Sequence, residues 1–103
     1  MLLAALTLAA SALAWQPLAQ DISYAPTTLT MPAPNMRRVL LKIGRVVTLY
    51  EYDCRSKTAA MLYVMRPDRE PYAPGQAVST PHYFSHTSVH AMVTARVCGK
   101  EML

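Results

Sequence analysis

Residues 36–43 alternate between apolar and polar positions. Val39, Leu41 and Ile43 fall on one face of an extended segment, and Arg38 and Lys42 fall on the other, the period of a half-buried strand. Gly44 punctuates this run and leads into residues 45–54, rich in β-branched and aromatic side chains. There Val46, Thr48, Tyr50, Tyr52 and Cys54 share one face, and Val47, Leu49, Glu51 and Asp53 the other. A bonded cysteine belongs in the core, so the tyrosine face is predicted to point inward, with Glu51 and Asp53 outside. Arg55-Ser56-Lys57 makes a short turn into residues 58–65, a strand with both faces fairly apolar. Three strands joined by short turns predict an antiparallel meander. Upstream, residues 21–24 and 27–31 predict two short strands, interrupted at Ala25-Pro26 because proline cannot donate to a ladder. Pro32-Ala33-Pro34-Asn35 is a turn.

Beyond residue 65 the pattern changes. Residues 66–75 mix prolines, charges and a glycine, which predicts a loop, and loops carry recognition more often than cores do. Residues 76–80 could add a short strand. The closing segment fits two periods. Val89, Ala91, Val93, Ala95 and Val97 alternate with His90, Met92, Thr94 and Arg96 as in a strand. The same residues make a helix with a cap at Ser85 or Thr87, running to about Cys98 and ending at Gly99. The caps and alanines favour the helix. Its wheel is untidy: Ala91, Ala95 and Cys98 share one side, and Val89, Val93 and Val97 lie well round from it.

The first 14 residues contain no charge and end in Ala12-Leu13-Ala14, the small-x-small pattern of a secretory cleavage site. The run is too short to anchor in a bilayer, which needs about 20 residues, although it lacks the basic start such signals carry. We therefore expect residues 1–14 to be a signal peptide, 15–20 a flexible lead-in and 21–103 one small domain. The alternative is an Ala/Leu-rich N-terminal helix packed on that domain. Export suits a disulfide between Cys54 and Cys98, the two cysteines of the chain. Closing a loop of roughly 45 residues stabilises by about 4 kcal/mol in the chain-entropy model. In a reducing compartment the two thiols would stay free.

The formal charge of +4 comes from basic residues downstream of the apolar run. Arg37, Arg38, Lys42 and Arg45 cluster near one hairpin, and Arg55 and Lys57 sit at the next turn. A solvated basic surface accounts for them, and attraction to anionic glycans or acidic proteins is the sharper reading. No stripe of alternating aromatic and basic residues suits single-stranded nucleic acid. His82, His86 and His90 recur every fourth residue, a spacing that on a helix can chelate copper or zinc, with Met61, Met65 or Met92 as added thioethers for Cu(I). Burial of the alanine–cysteine side would turn His86 and His90 outward together, whereas burial of the valines would shield them. Ser79, Ser85 and Ser88, the histidines, and Asp53 or Asp68 supply the residue types of a catalytic triad, but no nucleophile elbow or glycine-rich loop frames them, so no enzyme is expected. Tyr50, Tyr52 and Tyr63 read as core residues with hydroxyls at its rim, and Tyr72 in the loop as a contact residue.

Three places resemble the surface-adhesin protein E family of small exported bacterial domains. Tyr24-Ala25-Pro26 with Thr28-Leu29 is similar to the family's opening, Arg37-Arg38-Val39 with Leu41 to its next strand, and Glu51-Tyr52-Asp53-Cys54 to its aromatic-Asp-Cys strand end. Val97-Cys98 stands where the family places its second cysteine. Ala25 replaces the usual Asp, Leu40-Leu41 lacks a frequent Trp, and His82-Tyr83-Phe84 replaces a Trp-containing segment. The resemblance implies an α+β fold, a twisted antiparallel sheet with a C-terminal helix disulfide-linked to it. It also implies a non-catalytic binding or adhesion role in the periplasm or at the cell surface. With the meander, it gives a sheet of four or five strands. Arg66, Arg69 and Tyr72, helped by Arg37, Arg38 and Lys42, are the expected contacts to host matrix proteins, anionic glycans or another envelope protein. A periplasmic metal-binding protein using the histidines and a structural envelope protein are the alternatives.

Overall fold

The computed structural model describes residues 13–65 and 79–99 of the 103. The strands are β1 (Gln16–Ala19), β2 (Ile22–Thr30), β3 (Met36–Ile43), β4 (Val46–Asp53), β5 (Thr58–Met65) and β6 (His82–Tyr83). They pair in chain order, each antiparallel to the next, and one helix, α1 (Val89–Val97), follows. The architecture is thus α+β, as expected, but the sheet has six strands and not four or five. The two added strands are the ends of the meander. Residues 15–20, expected as a lead-in, supply β1, and the two-residue β6 is too short to show a period.

The turns follow from local chemistry. Asp21, Gly44 and Lys57 each take up a left-handed backbone near φ 60°, which glycine tolerates freely and aspartate better than most. The Gly44 N–H donates to the Asp21 carbonyl at 2.8 Å, so the β1–β2 and β3–β4 turns are tied side by side. At the β4–β5 turn the Asp53 carboxylate accepts from the N–H groups of Arg55 and Ser56, both at 3.0 Å. These bonds, with Ser56 the larger influence, hold the Asp53 carboxyl below the usual carboxylate range.

Two interruptions explain where the alternation fails. The short strands expected around Pro26 are one strand, β2, whose register with β3 shifts between Ala25 and Thr30. Inside that gap the Thr28 hydroxyl donates to the Ala25 carbonyl at 2.6 Å and accepts from the Leu40 N–H at 3.0 Å. In β5 the pairing passes from Tyr50–Met61 to Leu49–Tyr63, leaving Leu62 as an extra residue. Such a bulge moves the following residues to the opposite face, which is why β5 looks apolar on both sides.

One face of the sheet carries Tyr24, Val39, Leu41, Tyr52, Cys54 and Ala59, covered by Val93, Val97 and Cys98. The tyrosine face of β4 is therefore the helix-covered face, as predicted. The other face is not simply polar. Ala25, Leu40 and Met65 form a second cluster there, with Leu13, Trp15, Val47, Leu49 and Tyr63 packed against it.

The Cys54–Cys98 disulfide forms, with its Cα atoms 5.8 Å apart. The helix is capped by Ser88, not by Ser85 or Thr87, and its hydroxyl accepts from the Ala91 N–H at 3.4 Å. Cys98 closes the helix in an extended conformation (φ −91°, ψ 150°). Its side chain therefore leaves the helical wheel, so the buried valines and the bonded cysteine both meet the sheet. Arg37, itself buried, clasps this end: its Nε donates to the Val97 carbonyl at 3.1 Å, and its Nη1 to the Pro34 and Met36 carbonyls at 2.9 and 3.0 Å. Among the described residues no helix is long and apolar enough to cross a membrane.

Candidate functional site

β4 delivers Tyr50 and Tyr52 to the helix-covered face two residues apart, the start of α1 delivers His90, and the segment after β6 delivers Phe84. The four rings form one cluster. Tyr50 stacks on Tyr52 with centroids 5.9 Å apart, Phe84 meets Tyr52 edge-on at 6.2 Å, and His90 lies 4.8 Å from Tyr50 and 5.9 Å from Phe84. Edge-on and offset geometries are those favoured by ring quadrupoles.

A hydrogen bond locks the cluster from beneath. Tyr52 Oη lies 2.9 Å from His90 Nδ1. Burial, with a smaller contribution from Tyr50, pushes the Tyr52 phenol far above its ordinary range, and burial also raises Tyr50. Burial lowers His90 below its ordinary value of 6.5, so its ring is neutral at neutral pH. With the phenol donating, the neutral imidazole carries its proton on Nε2. The pair is therefore a neutral tie between strand and helix.

Above it opens a groove of about 210 Å³, walled by Tyr50, Met61, His82, Tyr83, Phe84 and His90. Tyr83 is 82% exposed. Ser79 also borders it, its hydroxyl accepting from the Met61 N–H at 2.9 Å. On the far side of Phe84 lies a second cavity of about 260 Å³, lined by Cys54, Lys57, His86, Ala91, Thr94 and Ala95.

The sequence-predicted residues distribute as follows. The valine side of α1 is the buried one, so His90 is shielded, and His86 precedes the cap and does not share a helix face with it. His82 and His90 border the groove and His86 the second cavity. Among the described residues no three His, Cys, Asp or Glu side chains gather as a metal site. Of the thioethers, Met61 borders the groove, Met65 lies in the opposite cluster and Met92 is exposed on the helix.

The basic residues do not form one patch. Arg37 is buried on the helix side, so its guanidinium is spent on carbonyls and not presented to a partner. Arg38 and Lys42 lie on the other face, Arg38 bonded to Glu51 at 2.6 Å and Lys42 placed 4.6 Å over the Trp15 ring. Arg66, Arg69 and Tyr72 lie outside the described residues, as does Asp68. At the helix start the Ser88 hydroxyl donates to the Ser85 carbonyl at 2.7 Å, and the Ser85 hydroxyl accepts from the Thr87 N–H at 3.2 Å.

Sequence reasoning treated Tyr50 and Tyr52 as core and left Tyr83 and Phe84 without a role. The signal that could have found the groove is the run of rings at residues 82–84, adjacent to a histidine whose spacing suggested metal chemistry. No protein-family model, curated protein or solved structure matches the chain.

Proposed function

We propose that this chain is an exported, non-catalytic binding module of the surface-adhesin protein E-like type, acting in the periplasm or at the cell surface. The observation that carries the reading is the Cys54–Cys98 bond, which joins the end of the fourth strand to the end of the helix. Disulfides of this structural kind persist in oxidising compartments, and the apolar run of residues 1–14 supplies a route there as a signal peptide. The order of strands, disulfide and closing helix agrees with what the resemblance implies. The aromatic groove gives the module a surface on which to bind, and Arg38 and Lys42 offer partial charge on the opposite face. Host matrix proteins, anionic glycans or a second envelope protein are the partners this reading names.

The test is to express the chain in a bacterial host and label intact cells with a membrane-impermeant amine reagent, then fractionate them. Labelled protein at the surface, or unlabelled protein in the periplasmic fraction, with both sulfurs blocked to thiol reagents, is the expected outcome. Cytoplasmic protein with two reactive thiols overturns the reading.

A further inference from the structure

The helix covers its face of the sheet unevenly. Cys98 is bonded to Cys54 beside the β4–β5 turn, and His90 lies over Tyr50 and Tyr52, so α1 sits on the half nearer that turn. Toward the β3–β4 turn the same face ends in an aliphatic row. Ile22 pairs with Ile43 and Ile43 with Val46, while Val64 stands beside Thr48, two residues further along β4. Alternation from Tyr24, Leu41 and Tyr52 puts all four side chains on the helix side. Ile43 is 40% exposed, Val46 52% and Val64 53%, and Ile22 is partly buried. Exposed aliphatics scattered singly are ordinary, but this row is contiguous across four neighbouring strands.

The rim of the row carries charge of both signs. Asp21 and Arg45 are exposed in the β1–β2 and β3–β4 turns, which the Gly44 N–H ties together through the Asp21 carbonyl at 2.8 Å. Among the described residues neither side chain is engaged in an ion pair. A uniformly acidic or basic partner would set one of the two against its own sign. The complementary surface is aliphatic, with a base where this one has an acid and an acid where it has a base.

A second copy of this chain offers that surface. A twofold contact brings a patch against itself, and an axis through β3 reverses the order of the strands across it. Ile43 then lies at the axis, Ile22 of each copy meets Val46 of the other, and Asp21 of each faces Arg45 of the other. Beyond the row the two sheets splay apart, where each keeps its own helix. We infer that the β3–β4 end of this face is the contact through which two copies of the chain form a twofold dimer. The exposed parts of these side chains fall well short of the roughly 800 Å² per partner of a standard interface. The dimer is therefore a weak one, with a Kd of about 0.1–1 mM.

The experiment follows the disulfide-intact full chain by sedimentation equilibrium and amide NMR from about 20 µM to about 2 mM, a range that brackets that Kd. The mass should rise toward that of a dimer, with concentration-dependent shifts centred on residues 21–22, 43–46 and 64. Ile43→Thr/Val46→Thr keeps both positions β-branched, so the strands should form as before, and it should weaken association about tenfold. The charges give the sharper test. Asp21→Lys places at φ 61° a residue type that the chain already holds at φ 60° at position 57. Asp21→Lys and Arg45→Glu should each associate about fivefold more weakly than the parent, because like charges then meet across the axis, and an equimolar mixture of the two variants should return to the parent's affinity. A monomeric mass throughout the range, shifts centred on another surface, undiminished association of Ile43→Thr/Val46→Thr, or a mixture no tighter than either charge variant alone would each overturn the proposal.

Discussion

His90 and Tyr52 place a titratable ring where burial disfavours its charged form. The folded state therefore holds the imidazole neutral at pH values where the unfolded chain would already protonate it. The unfolded state binds more protons between the ordinary value of 6.5 and the lowered folded value, so stability is complete above that window and falls as pH descends through it. Melting temperature measured from pH 7.5 downward should begin to fall below about 6.5, and His90→Gln should remove that first decline. A second decline, from Asp53, belongs lower, below its ordinary value of 3.8. If His90→Gln retains the first step, the imidazole is not its source. Arg37 gives a different kind of residue effect. Its buried guanidinium satisfies carbonyls from the β2–β3 turn, β3 and the helix end. Arg37→Met should cost about 2–4 kcal/mol in urea unfolding, because those acceptors lose a charged donor, and Arg37→Lys should recover little, since a point charge cannot reproduce the fork.

At the scale of elements, the bounds of β3 and β5 were legible, β3 from its regular alternation and β5 from its run of apolar residues after the Arg55–Lys57 turn, although the bulge at Leu62 was not. β1 was not: Gln16-Pro17-Leu18-Ala19 has one partly buried residue and a proline, and only pairing with β2 makes it a strand. The helix was legible as an element, but its buried side was not. Placing Cys98 on the helical wheel made the alanine side look like the core, whereas the cysteine sits past the last turn in extended backbone. The groove was illegible for a related reason. It depends on Phe84 from one segment meeting His90 and Tyr52 from others, and no single periodicity spans them. The element most dependent on covalent help is the helix, which is short and carries no acidic residue in its first turn. Cys54→Ala/Cys98→Ala should lower stability by about 4 kcal/mol in the chain-entropy model. Amide exchange should rise first in α1 and last in β3 and β4, and uniform loss of protection would show that the bond supports the whole sheet equally.

For the whole molecule, the sheet has two unequal apolar faces. One is closed by the helix and a disulfide, the other by Leu13 and Trp15 against Leu40, Leu49 and Met65. Ile43, Val46 and Val64 remain exposed toward the β3–β4 turn, away from the aromatic groove. On the opposite face Arg38 is paired with Glu51 and Lys42 lies over Trp15.

Among the described residues each strand pairs only with its neighbours in the chain, and the Tyr52–His90 bond, the sulfur bridge and the Arg37–Val97 clasp reach across 38, 44 and 60 residues. A polypeptide delivered N-terminus first could zip up its hairpins one after another as they emerge, with little loop entropy to overcome at any step. Cys54 would then wait in an already paired strand until its partner arrived 44 residues later, so that oxidation stitches a sheet whose hairpins are already closed and is seldom an early trap.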